Sequence, residues 1–184
     1  MRKCKLLTFA VMKLLTTLFA TMVTALAFCQ AAPPKITLDS PTEVRPGQLV
    51  TVFVKVAFAD GLHGYQNPPS ESYMIPVTVN PGKTLKAVSV LYPKGHAAKI
   101  GGSAVEVMTY SGEVVIKVSF RASAKPGAQP FELNVGYQQC NDDSCFPPGS
   151  ATLKGSLTVK GEPMTIWDRL GDDIKIRVGS RAQS

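Results

Sequence analysis

Cys140 and Cys145 are the residues of this chain best equipped for chemistry. They stand in GYQQCNDDSCFPP, residues 136–148, with Asn-Asp-Asp-Ser between them and Pro147-Pro148 close behind. Such a pair supports three chemistries: a structural disulfide, half of a metal site, or a dithiol/disulfide couple that exchanges electrons with a partner. As a staple the ring is small, and loop closure over so few residues contributes roughly 2 kcal/mol. A metal site needs two more ligands, and His63 and His96 are the candidates. They lie far apart in sequence on different loops, so spacing alone does not assemble the site, and no metal or cofactor is assigned. A cysteine–histidine hydrolase has no local signature to support it.

The redox reading draws on the surroundings of the pair. Asn-Asp-Asp-Ser is good turn chemistry, and cysteines on the two arms of a turn can reach the separation of about 5.5 Å that a disulfide wants. The two prolines lack an N–H and stop strand pairing, which leaves Cys145 at a strand end and Cys140 deeper inside. Asp142 and Asp143 bring negative charge beside the sulfurs, with no Lys or Arg near in sequence. That disfavours a thiolate, so the free pair is expected to react mainly with a docked partner.

Strands must position this pair. In QLVTVFVKVAF, Val50, Val52, Val54, Val56 and Phe58 alternate with polar positions, the period of a half-buried strand. Further strands are expected at 74–79, 85–92, 105–110, 113–120, 131–138 and 151–159, with Ser111-Gly112 as a tight hairpin turn. Seven or eight short strands without a convincing helix predict an all-β, immunoglobulin-like antiparallel β-sandwich. The Cys…Trp…Cys core of the disulfide-bearing subtype is absent, because the single tryptophan is Trp167. Residues 59–73 and 92–104 read as long polar loops, and 162–184 as a short helical turn with a polar tail that could not cross a membrane.

Residues 1–31 carry Arg2, Lys3 and Lys5, then an apolar run from Leu14 to Phe28, then small residues at Ala25–Ala27 and Ala31-Ala32. This layout is that of a secretory signal peptide, with an uncleaved anchor as the alternative. Cleavage after Ala27 would leave Cys29 as an odd thiol. Cleavage after Ala31 leaves Cys140 and Cys145 as the one pair, which suits an oxidising, periplasmic or secreted setting. The segment also carries four of the seven net positive charges, so +3 remains on residues 32–184. No basic cluster survives that would mark a nucleic-acid partner. Residues 32–161 then form one domain of a size that can bury its own core.

The stretch YQQCNDDSCFPP resembles the Tyr-Gln-x-Cys…Cys-aromatic-Pro-Pro signature of the N-terminal domain family of the thiol:disulfide interchange protein DsbD. PGQLVTVFVKVAFADGLHGYQNPP is similar to the segment upstream in that family, and YSGEVVIKVSF to its middle hairpin. The resemblance implies a periplasmic immunoglobulin-like domain whose cysteines shuttle between disulfide and dithiol. It implies a thioredoxin-like, membrane-fed reductant and thioredoxin-like periplasmic acceptors, with no small-molecule substrate. By this likeness Cys140 and Cys145 are the redox couple, and Cys145 bonds to partners. Tyr65 matches a neighbouring tyrosine, His63 a position held by an aromatic or His, and Phe146 the aromatic of the signature. Lys99–Ser103 stands where the family has a shielding cap loop, but has no acid and no aromatic, so more open access is expected. The family's membrane and thioredoxin-like domains are absent from the 184 residues, which implies a separate membrane electron transporter. The rival expectation is an immunoglobulin-like protein-binding module with an idle disulfide.

Overall fold

The computed structural model describes residues 31–82, 85 and 87–181, excepting the side chains of 175–177 and 179–181. The chain divides into two units, Met1–Ala31 and Ala32–Ser184. The signal segment expected over 1–31 lies, but for Ala31, outside the described residues. All the described strands and the helix belong to the second unit.

Alternation builds the frame. In β3 (Leu49–Ala57) Val50, Val52, Val54 and Val56 are buried while the residues between them are partly exposed. β9 (Glu113–Arg121) pairs with it over nine positions and turns Val114, Ile116, Val118 and Phe120 to the same side. β1 (Lys35–Asp39) and β6 (Ala87–Leu91) complete a four-stranded sheet in the order β1-β3-β9-β6. The facing sheet has the order β2-β12-β10-β5, from β2 (Glu43–Val44), β12 (Gly149–Val159), β10 (Gly127–Tyr137) and β5 (Thr78–Pro81). Phe131, Leu133 and Val135 of β10 meet the first sheet, and the rings of Phe120 and Phe131 lie 5.3 Å apart across the core. Each fully buried Val or Phe contributes about 1.5–3 kcal/mol from water removal, so this interior holds the sandwich without a staple.

The architecture is the expected all-β, immunoglobulin-like sandwich, and its described strands pair antiparallel except where β2 joins β12 in parallel. Several local expectations need correction. Ser111-Gly112 is not a hairpin turn. β8 (Val107–Ser111) pairs with two strands of a third sheet, while β9 pairs with β3 and β6. Gly112, at φ 59°, turns the chain from one sheet to the other, and its carbonyl accepts from Phe58 N, which extends the β3–β9 ladder. The strand expected at 74–79 begins only at Thr78 and runs to Pro81; Pro76, with no N–H for a ladder, makes no more than an isolated bridge with Tyr65. The stretches expected as loops hold two three-residue strands, β4 (His63–Tyr65) and β7 (His96–Ala98).

The tail is also more ordered than a single turn. Ile166–Arg181 form a helix, α1. Thr165 caps it: Asp168 N donates to Thr165 Oγ1 at 3.2 Å, and Thr165 N donates to Asp168 Oδ2 at 3.1 Å. This reciprocal pairing satisfies the free N–H groups of a helix start, and the Thr165 hydroxyl, donating to Asp168 Oδ2 at 2.8 Å, with the Thr165 backbone N–H holds the Asp168 pKa below its ordinary value. No described helix is long and apolar enough to cross a membrane.

Candidate redox site

The third sheet, ordered β11-β4-β8-β7, positions the cysteines. β11 is only Gln139–Cys140, and it sits in the connection of the β10–β12 hairpin, whose last pair is Tyr137 with Gly149. Pro147-Pro148 fill the end of that connection, and pairing resumes only at Gly149, as the missing N–H groups require. Cys140 lies opposite His63 and Gln139 opposite Gly64.

The turn between the cysteines is organised by one side chain. Asn141 Oδ1 accepts from Asp143 N at 3.0 Å and Ser144 N at 2.8 Å, while Asn141 N donates to Ser144 O at 2.9 Å. Phe146 N donates to Gln139 O at 2.8 Å, which closes the next rung and seats half-buried Phe146 beside β11. Cys140 and Cys145 therefore face each other as an antiparallel bridge and are joined by a disulfide, with Cα atoms 4.0 Å apart. Directly opposed residues of a non-hydrogen-bonded pair approach more closely than cysteines set diagonally, which accounts for a separation below the expected one.

The two cysteines differ in access. Cys140 is fully buried, in a small apolar cluster with Tyr65, Met74, Ile100 and Val107. Cys145 is exposed, as are Asp142 and Asp143. Two groups nevertheless touch the Cys145 sulfur. Tyr65 Oη lies 3.4 Å from Sγ. Because a disulfide sulfur has no proton to give, the phenol is the donor. Burial, with a smaller contribution from Tyr73, pushes the Tyr65 pKa above its ordinary value, so the phenol keeps its proton at neutral pH.

The other contact is the cap-like stretch. Ile100 is buried as an anchor, Gly101 N donates to Asn141 O at 2.7 Å, and Gly102 N donates to Asp142 O at 2.8 Å. Residues 100–102 thus strap the cysteine turn with backbone alone. A Cβ on Gly101 would lie 2.7 Å from Cys145 Sγ, and its φ of 64° is one that other residues adopt only with strain. Glycine lets the backbone itself approach the sulfur, while Cys145 stays exposed.

His63 and His96, expected on unrelated loops, come together on the two strands flanking β8, with ring centroids 6.3 Å apart. His63 Nδ1 is buried without a hydrogen-bond partner, and His96 Nε2 lies 3.3 Å from Ser111 Oγ. Among the described residues no group of three or more potential metal ligands forms. Residues missed in the sequence include Met74 and Gln139. The last donates through Nε2 to Ala32 O at 3.0 Å, while its Oε1 is buried without a partner.

Residues 34–156 match the family described as "Thiol:disulfide interchange protein DsbD, N-terminal". Among solved structures, the chain is similar to the N-terminal domain of DsbD from Neisseria meningitidis in its reduced form. Identity is 17%, the TM-score is 0.47, and the match covers 70% of this chain and 90% of that one. It is also similar to a structure of the complex between the DsbD N-terminal and PilB N-terminal domains from Neisseria meningitidis. There identity is 20%, the TM-score 0.39 and the coverage 72% and 88%. A search of curated proteins finds no match. The family match spans both cysteines and most of the sandwich, so the chain belongs to the DsbD N-terminal domain family of thiol:disulfide interchange proteins.

Proposed function

We propose that this chain is a periplasmic relay that passes electrons between thioredoxin-like partners through the Cys140–Cys145 couple, supplied by a membrane electron transporter. The observation that carries the reading is the asymmetry of the disulfide: one sulfur sealed in the core cluster, the other on an exposed turn.

In the reducing direction, the Cys145 thiolate attacks one sulfur of a partner disulfide. A mixed disulfide forms and the partner's other sulfur leaves as a thiolate. The Cys140 thiolate then attacks Cys145 Sγ, which restores the intramolecular disulfide and releases the second partner sulfur. Two electrons pass to the partner, and the protons of the two chain thiols balance those taken up by the partner dithiol. Recharging is the reverse sequence with a reduced thioredoxin-like donor. Tyr65 is placed to donate a hydrogen bond to the leaving or attacking Cys145 sulfur, a stabilisation that matters because Asp142 and Asp143 oppose negative charge there. Phe146 and His63 position β11 from its two sides.

Single-cysteine variants test this. Cys140→Ala should accumulate a mixed disulfide with a thioredoxin-like partner, and Cys145→Ala should accumulate far less. Adduct from the Cys145→Ala chain alone would reverse the roles. Absence of adduct from both, in chains that fold, would leave the disulfide as a staple and sink the proposal.

A further inference from the structure

α1 is docked with the wrong side out for a helix of a self-contained domain. Its polar residues hold the sandwich: Asp172 Oδ2 accepts from Leu49 N at 3.4 Å, Asp173 pairs with Arg121, and the Arg169 guanidinium lies over Gly47. The other side carries a run of exposed apolar residues. Ile166, Leu170, Ile174 and Val178 recur every four residues with Trp167 beside the first, and all five are exposed, Trp167 at 81%. Four-residue steps keep side chains on one side of a helix, so this is a continuous stripe. An ordinary surface helix turns such a stripe inward.

We infer that α1 lays this stripe on an anionic lipid surface. Two observations choose that occupant over a second copy of the chain. The first is charge: from Ile174 onward the sequence IKIRVGSRAQS carries Lys175, Arg177 and Arg181 and no acid, which complements anionic headgroups. The second is shape: five side chains on a helix about 24 Å long form a narrow strip, smaller than the roughly 800 Å² per partner of a standard protein interface. A tryptophan among aliphatic residues, with basic residues following, is the composition of a helix that lies in the headgroup region without crossing.

The attachment also sets an orientation. α1 grips the start of β3 at Leu49, and the far end of β3 leads into Phe58, whose ring packs on Gly64 beside Cys140. Eight strand steps separate Leu49 from Ala57, roughly 26 Å. The disulfide is therefore held at the end of the sandwich away from the lipid, open to soluble partners.

Trp167, the single tryptophan, reports contact locally in the full chain, whatever other segments do. Its emission should shift to shorter wavelength, and be quenched by bromine-labelled acyl chains, on vesicles of phosphatidylglycerol with phosphatidylcholine. Vesicles of phosphatidylcholine alone should give a much smaller effect. Leu170→Glu with Ile174→Glu should abolish the shift while far-ultraviolet circular dichroism stays that of the parent. Lys175→Gln, Arg177→Gln and Arg181→Gln should each lower partitioning about fivefold. An unchanged emission on anionic vesicles overturns the inference. So does equal binding to both vesicle types, or a blue shift that grows with protein concentration in the absence of lipid, which would mark a second copy as the occupant.

Discussion

Gly101→Ala separates a strap that governs access to Cys145 from one that merely sits beside it. An alanine held at φ 64° costs about 1–2 kcal/mol that glycine does not. Its Cβ would lie 2.7 Å from a sulfur bonded to fully buried Cys140, so the strap is the part that must yield. Backing away gives up the Gly101 N to Asn141 O hydrogen bond, worth about 1 kcal/mol net. That bond is lost on opening in parent and variant alike, so the φ strain sets the change: the closed strap is disfavoured by about 1–2 kcal/mol, and the open fraction rises roughly 5- to 30-fold at about 1.4 kcal/mol per decade. Reduction of the oxidised chain by dithiothreitol, followed under pseudo-first-order conditions, should accelerate roughly 5- to 30-fold. Gly112→Ala is the control, since Gly112 has φ 59° and nothing within 4 Å of its would-be Cβ. It should lose similar stability, with an unfolding midpoint lower by about 2–4 °C per kcal/mol, and react at the parental rate. If the two variants lose stability alike and both are reduced at the parental rate, the strap does not control access to the sulfur.

Tyr65→Phe removes the hydroxyl 3.4 Å from Cys145 Sγ. In the Cys140→Ala background it should shift the pH dependence of iodoacetamide alkylation of Cys145 to higher pH; an unchanged profile would deny the phenol any part in stabilising the thiolate. Burial also raises the pKa values of Tyr92 and Tyr110, although hydrogen bonds from backbone N–H groups of Val79 and Asn67 partly offset it. With Tyr65, these groups hold protons in the folded chain that the unfolded chain has released above about pH 10, so their contribution to stability is complete below that pH and is lost as pH rises through the folded values. The unfolding midpoint should fall as pH rises past about 10, with full tyrosinate absorbance reached only at the unfolding step; full tyrosinate absorbance near pH 10 in the folded chain would contradict the effect of burial.

Period-two alternation made the large strands legible. β3 and β9 each bury one side along nine residues, and that pattern also excluded a helical architecture. The cysteine pair and its local turn were equally plain, because Asn-Asp-Asp-Ser and Pro-Pro act through backbone rules a few residues long. β4, β7 and β11 are two or three residues each, too short to show a period, and they form because the third sheet gathers them. The approach of His63 to His96 and of Gly101 to Cys145 arises from that gathering, so no spacing in the sequence announced it. α1 was read as one turn because its apolar stripe has no matching core. The Thr165–Asp168 capping pattern, two residues with a definite physical meaning, was the signal available there.

The reduction potential of the Cys140–Cys145 disulfide, measured by equilibration with dithiothreitol redox buffers, tests the relay most directly. Couples that exchange with partners lie between about −300 and −120 mV, and a relay requires this one to fall inside that window. A value well below about −300 mV is that of an inert structural bridge, and it would contradict the relay whatever the surrounding geometry.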